Sequence, residues 1–181
     1  MNEIRDGSAG LPAAWSRVRG DLPDVNVWLA LAQPFHPHHE VAKAYWRSTS
    51  ERFAQEASEL SADQIEPKIH FCRITMLGMV RLLSQTSKLY GQAVSLNDSF
   101  AMYERYLHLP EVGFMTEAAS TVDATLSSMH NAWPQLHHRL STDIYLAALA
   151  KSYRLRLVSF DRDFKRFDLP NCLILDEEKP S

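Results

Sequence analysis

Two short runs late in the chain, LRLVSF at 155–160 and CLIL at 172–175, are almost continuously apolar. They are too short for helices, and turn-forming residues lie between them. Runs of this kind are strands buried on both faces, as in a parallel sheet whose crossover helices cover it above and below. KIHFCR at 68–73 is a third such strand and VGFMT at 112–116 a weaker fourth. The segments between them carry helical spacing: VNVWLALA at 25–32, the stretch 36–60 with Val41, Ala44, Tyr45 and Phe53 on one face, TMLGMVRLLSQ at 75–85, 95–109, 118–130 and 141–154. Pro37 suits a first helical turn, and Ser95 or Asn97 suits the cap of the helix that follows. The expectation is an α/β fold with a parallel central sheet and helices on both faces. GDLP at 20–23 leaves room for a very short first strand only.

With 181 residues, 45% of them hydrophobic, the chain can bury one good core and has little material for a second. Residues 1–20 show little periodicity and read as an extension, with 21–181 as the domain. A net charge of −3 supplies no basic field, so a nucleic-acid partner would have to be held by a local patch. Cys72 and Cys172 each lie in an apolar run, which suits reduced, buried thiols. No apolar run reaches the roughly 20 residues of a membrane span, and the first residues lack a secretory pattern. These features point to a soluble, cytoplasmic protein without a membrane partner.

In an open parallel sheet, sites form beyond the carboxyl ends of the strands. Asp161 stands at such an end, Asp24 follows GDLP and precedes a helix, and Asp143 sits in the first turn of a later helix. Each has an ordinary use as a helix cap or turn former. Together they are hard oxygen ligands brought from distant parts of the chain, which is what Mg²⁺ or Mn²⁺ takes, and the ion makes their proximity tolerable.

The segments PDVNVWLALAQPFHPHHEVAKAYW, FCRITMLGMVRLL, TDIYLAALA and LVSFDRDF resemble, in order and style, the PIN-domain ribonucleases, and most closely the VapC toxins of type II toxin–antitoxin systems. The similarity spans residues 22 to 175. It implies a three-layer α/β/α domain that cleaves RNA with Mg²⁺ or Mn²⁺, is neutralised by a VapB-like antitoxin, and forms a homodimer. It also implies that Asp24, Asp143 and Asp161 are the catalytic, metal-holding acids. One position departs from the pattern: aligning Thr75 with the family's threonine puts Gly78 where many PIN nucleases carry a glutamate. Glu117, after the VGFMT strand, is a weak candidate to replace it.

Such acids would activate water against a scissile phosphate without a covalent intermediate. Asn26, Thr142, Ser159 and Asp163 are placed to steady the carboxylates by hydrogen bonds, with Ser141 or Thr142 equally suited to capping the helix. Arg73 and Arg81, about two helical turns apart, are candidate phosphate contacts. His36, His38 and His39 lack the partners of a zinc site and read as a helix entrance at the pocket rim, and His137 and His138 as a polar loop. Trp28, Tyr45, Trp46, Tyr103 and Tyr106 read as core or interface aromatics. A second reading, motivated by Gly78, is a PIN-like protein that has lost cleavage and binds RNA or a partner. A phosphatase or receiver-like domain phosphorylated on Asp24 is disfavoured because no lysine stands in the expected setting.

Overall fold

The computed structural model describes residues 18–85 and 94–176, so the expected extension lies outside the described residues apart from its last three. Five parallel strands form one sheet in the order β3-β2-β1-β4-β5, with β1 at Asp21–Pro23, β2 at Ile69–Phe71, β3 at Val112–Phe114, β4 at Arg156–Ser159 and β5 at Cys172–Ile174. Six helices connect or flank them: α1 (Val25–Ala32), α2 (His39–Glu59), α3 (Arg73–Gln85), α4 (Leu96–Leu107), α5 (Ala119–Ala132) and α6 (Ser141–Tyr153). This is the three-layer α/β/α fold expected from the sequence. The strand order reverses at β1, which lies between β2 and β4, and that reversal opens a crevice at the carboxyl ends of β1 and β4.

Alternation along the strands sorts the core into two faces. Leu22 and Leu157, partners across β1 and β4, join Ile144, Leu146 and Leu149 of α6 and Val122 and Met129 of α5 on one face. On the other, Ile69, Phe71 and Val112 meet Trp28 of α1 and Met79 and Leu83 of α3. Trp28 stacks on Phe71 with ring centroids 3.6 Å apart, and Tyr106 closes on it edge-on. Tyr103 and Trp46 complete this apolar cluster, the core use expected of these aromatics.

Three residues suffice for β1 because its neighbours hold both its sides. Leu22 and Pro23 pair with Leu157 and Val158, and Asp21 with Ile69. Pro23 has no N–H to offer and the strand stops there. Asp24 then turns the chain: its backbone N–H donates to the Val158 carbonyl, and its side-chain Oδ1 accepts from the Val25 N–H at 2.6 Å, capping α1. Ser95 caps α4 in the same manner. α2 begins at His39, two residues after Pro37, so Pro37 belongs to the turn before the helix.

At the opposite end of β1, Asp21 is buried and accepts two bonds from the Arg156 guanidinium, at 2.8 and 2.6 Å, and one from the Tyr45 hydroxyl at 2.9 Å. Burial and the Asp21 charge hold the Tyr45 phenol well above its usual pKa, so it stays a donor. Removing one partner of such a pair strands the other charge in the interior. Arg156→Ala is therefore expected to cost about 3–5 kcal/mol in urea unfolding, whereas Asp21→Asn combined with Arg156→Leu costs less than Arg156→Ala alone.

Candidate active site

The crevice beyond β1 and β4 is organised by a buried hydroxyl. Ser159, the last residue of β4, is fully buried, and its Oγ donates to Asp24 Oδ2 at 3.0 Å. The same oxygen accepts from Asn26 Nδ2 at 2.9 Å and from the Asp161 N–H at 3.0 Å. Asn26 Oδ1 in turn accepts from the Phe160 N–H. These bonds fix the end of β4 to the first turn of α1 and bring Asp161 beside Asp24. Ser159 thus bonds directly to Asp24, and Asn26 reaches it through Ser159.

Asp143 comes to this crevice from α6, near enough for its charge to act on Asp24. Burial is the largest influence on Asp24 and pushes its carboxyl up to about 6. The bonds from Ser159 and Val25 pull it down, and the charges of Asp143 and Asp161 push it up. Asp143 is raised as well, by partial burial and then by Asp161 and Asp163, with Arg166 acting in the opposite sense. Like charges meeting in a partly dry site would rather be protonated, or share a cation.

Thr142 is exposed and makes no hydrogen bond to the acids among the described residues. Neither it nor Ser141 caps α6. A 3₁₀ turn at His138–Leu140 runs directly into the helix, so Ser141 is already helical at φ −60° and ψ −38° and cannot take the extended backbone a cap requires. Asp163 supports Asp161 through its backbone and not through its carboxylate. Its N–H donates to Asp161 Oδ1 at 2.7 Å, and its carboxylate pairs with Arg166 Nη2 at 2.8 Å.

Arg166 is the cation that sequence reading missed at this site. It lies on the 3₁₀ turn Arg162–Phe167, and Arg166 Nε donates to the Asp163 carbonyl while Nη1 is left without a bond among the described residues. Its only signal was the three-residue spacing from Asp163, easily read as a surface pair. Arg73 lies over the Phe114 ring at 4.7 Å, at the carboxyl end of the sheet. Arg81 is exposed two turns farther along α3, without a side-chain bond among the described residues.

Gly78 explains the missing glutamate. A Cβ there would come within 2.6 Å of a Val25 methyl, because α3 crosses α1 where the space for a side chain is taken by the residue next to Asp24. Glu117 accepts a hydrogen bond from the Tyr145 hydroxyl. Helix propensity alone would make Gly78→Ala stabilising by about 1 kcal/mol; overpacking against Val25 reverses the sign. A net loss of about 1–2 kcal/mol is expected on thermal or urea unfolding, partly recovered by adding Val25→Ala.

The histidines near α2 serve the fold. His39 Nδ1 bonds to the Ala30 carbonyl, and His38 stacks on Phe160 at 4.5 Å. A cavity of about 1050 Å³ lies along α2 beside Asp21 and Arg156, and none of the three acids lines it.

Among the described residues no three acid, histidine or cysteine side chains form a ready-made metal cage. The donor chemistry nevertheless suits a hard divalent ion: Asp24, Asp143 and Asp161 offer oxygens only, and a cation would relieve the strain on Asp24. The raised carboxyl sets the sign of a pH effect. An unfolded Asp24 ionises near 3.8 and the folded one near 6, so stability falls as pH rises through that window. With chelator present, Asp24→Asn is therefore expected to gain on the wild type between pH 4 and 7, by up to about 3 kcal/mol. A stability difference between the two that does not change with pH would mean that Asp24 is not under this stress.

Comparison with known proteins agrees with this architecture. The PIN domain family model matches residues 22–169. Ribonuclease VapC44 of Mycobacterium tuberculosis is 30% identical over 154 residues, covering 83% of this chain and 92% of the relative. Ribonuclease VapC41 of the same organism is 29% identical over 155 residues, covering 81% and 92%. Among solved structures, VapBC2 of Rickettsia felis bound to a DNA fragment from its promoter aligns with a TM-score of 0.59 at 13% identity, over 86% of this chain and 98% of that one. VapC20 of Mycobacterium tuberculosis, a toxin that cleaves the sarcin-ricin loop, aligns at 0.52 and 13%, over 81% and 94%. At these identities the structures speak for the fold alone, while the family match covers most of the chain: this protein belongs to the PIN domain family, where its similarity is to the VapC ribonucleases.

Proposed function

We propose that this protein is a divalent-metal-dependent endoribonuclease and the toxin of a VapBC-like toxin–antitoxin pair. The observation that carries the reading is the network around Ser159, which holds Asp24 and Asp161 side by side in a partly dry crevice within the electrostatic reach of Asp143. Like charges gathered in a partly dry crevice suit a site that takes a cation.

Asp24, Asp143 and Asp161 would hold Mg²⁺ or Mn²⁺. When bound there, the ion would lower the pKa of a water to make a nucleophile and offset the charge that builds on a scissile phosphate. The protein's own part is positioning. Ser159 and Asn26 keep Asp24 from rotating, so its outer lone pairs face the crevice. Arg166 is half-exposed beside the acids and has donors to spare, which suits it to a phosphate oxygen of the RNA. Arg73, at the start of α3, can meet a more distant phosphate. A VapB-like antitoxin fits the same charge well, since an arginine from a partner can pair with the carboxylates in place of the metal. Pairing into a homodimer would set two such crevices along one groove.

The glycine at 78 favours a second reading, a PIN-like protein impaired in cleavage that acts by binding RNA. Cleavage of a total RNA pool separates the two. Cutting is expected with Mg²⁺ or Mn²⁺ and not with EDTA. Asp24→Asn is expected to slow it by at least about 100-fold, and Ser159→Ala by about 10–100-fold. Arg166→Ala is expected to reduce the slope of log affinity against log salt by about 0.7, the value of one single-strand phosphate contact. RNA binding without metal-dependent cutting would put the second reading ahead.

A further inference from the structure

We infer that the cavity between α5 and the start of α6 is a subsite for one unpaired base of a single-stranded RNA, beside the bond to be cut. The inference rests on the nuclease reading for the position of that bond, but the cavity and its chemistry stand apart from it. Its volume is about 520 Å³, inside the roughly 300–1,000 Å³ of small-ligand sites. Leu126, Leu136 and Ile144 form an apolar floor continuous with the core under α5 and α6, and Asn131, His137 and His138 stand at the rim. That combination suits a nucleobase: an apolar floor to lie on, rings to stack against, and an amide to meet the hydrogen-bonding edge.

Its rings are partly fixed and partly available. His137 Nδ1 accepts from the Arg139 N–H, which anchors that imidazole as the cap of the 3₁₀ turn. His138 lies 4.1 Å from it at a tilt of 35°, and both are exposed to solvent. The anchored His137 thus presents a second ring at a defined angle, and a base entering the cavity can lie against that pair.

The same few residues join cavity and acids. Ser141 and Ile144 line the cavity, and Asp143 lies between them in the first turn of α6. A ribose-phosphate bridging from the cavity to the acid crevice need pass only around this one turn. Such a pocket would select unpaired RNA, because a base held in a duplex could not enter it.

The test uses the full chain in EDTA and a hairpin RNA with a six-nucleotide loop, carrying 2-aminopurine at each loop position in turn. Quenching confined to one or two adjacent positions is expected. Leu126→Trp, which fills the cavity, and His138→Ala, which removes a ring, are both expected to abolish that quenching and weaken binding by about 5- to 100-fold. His36→Ala, which does not line the cavity, is expected to leave it unchanged. Should Leu126→Trp fail to fold, His138→Ala and Asn131→Ala at the rim supply the same readout. Quenching unchanged in His138→Ala and Asn131→Ala, or spread evenly around the loop, would overturn the subsite. Confined quenching that depends on these residues, in a protein that cuts no RNA with Mg²⁺, would uphold the subsite and overturn the nuclease reading instead.

Discussion

The hydroxyl of Ser159 has one hydrogen to give and two lone pairs to offer, and all three meet partners within the crevice: Asp24 takes the hydrogen, and Asn26 and the Asp161 N–H take the lone pairs. Because Ser159 closes β4 and is fully buried, it cannot turn to water to satisfy any of them. The rest of the site follows from that saturation. α1 must leave β1 at an angle that brings Asn26 back toward β4, and Asp161 must begin its turn directly after the strand. The parallel register of β1 with β4, Pro23 opposite Val158, places the two strand ends level so that one oxygen can reach all three groups.

A crevice tied this tightly carries an electrostatic cost. Asp24 loses water and faces two like charges, while its compensation is limited to two hydrogen bonds. The Arg166 cation acts on Asp143 and is itself engaged by Asp163. The fold tolerates this arrangement because its stability is drawn elsewhere, from the apolar faces packed on the sheet and from the buried Asp21–Arg156–Tyr45 group at the other end of β1. Structure and charge stress are thus separated along the strand, which leaves the carboxyl end free to bind something positive.

Much of this was legible in the sequence for physical reasons. Buried parallel strands have an apolar run with little alternation, and α-helices have a 3.6-residue period, so the sheet and the six α-helices of the described residues could be read. That Asp24, Asp143 and Asp161 come near one another was legible because strand ends and helix starts converge at the carboxyl edge of a parallel sheet. What escaped depended on geometry that no period records. Ser141 looked like a cap, but the 3₁₀ turn before it had already set its backbone helical. Thr142 makes no bond to the acids among the described residues, Asp163 meets Asp161 only through its backbone N–H while its carboxylate turns to Arg166, and Arg166 was hidden in a spacing that usually means a surface pair. The cavity beside His137 joins residues from two helices and a loop, a proximity that appears only when α5 lies against α6.

Gly78 shows how the missing carboxylate and the close packing are one fact. In the crossing of α1 and α3, Val25 fills the place a side chain at 78 would need, and Val25 is also the residue whose N–H Asp24 caps. A glutamate at 78 could be accommodated only by moving α3 away from α1, which would loosen Val25 and with it the cap that orients Asp24. The chain has therefore traded an additional carboxylate in the crevice for a firmer hold on Asp24. With one acid fewer, the remaining three carry less mutual repulsion, and in the proposed nuclease the burden of binding a cation would fall on how well Ser159, Asn26 and the α1 cap fix the geometry of Asp24.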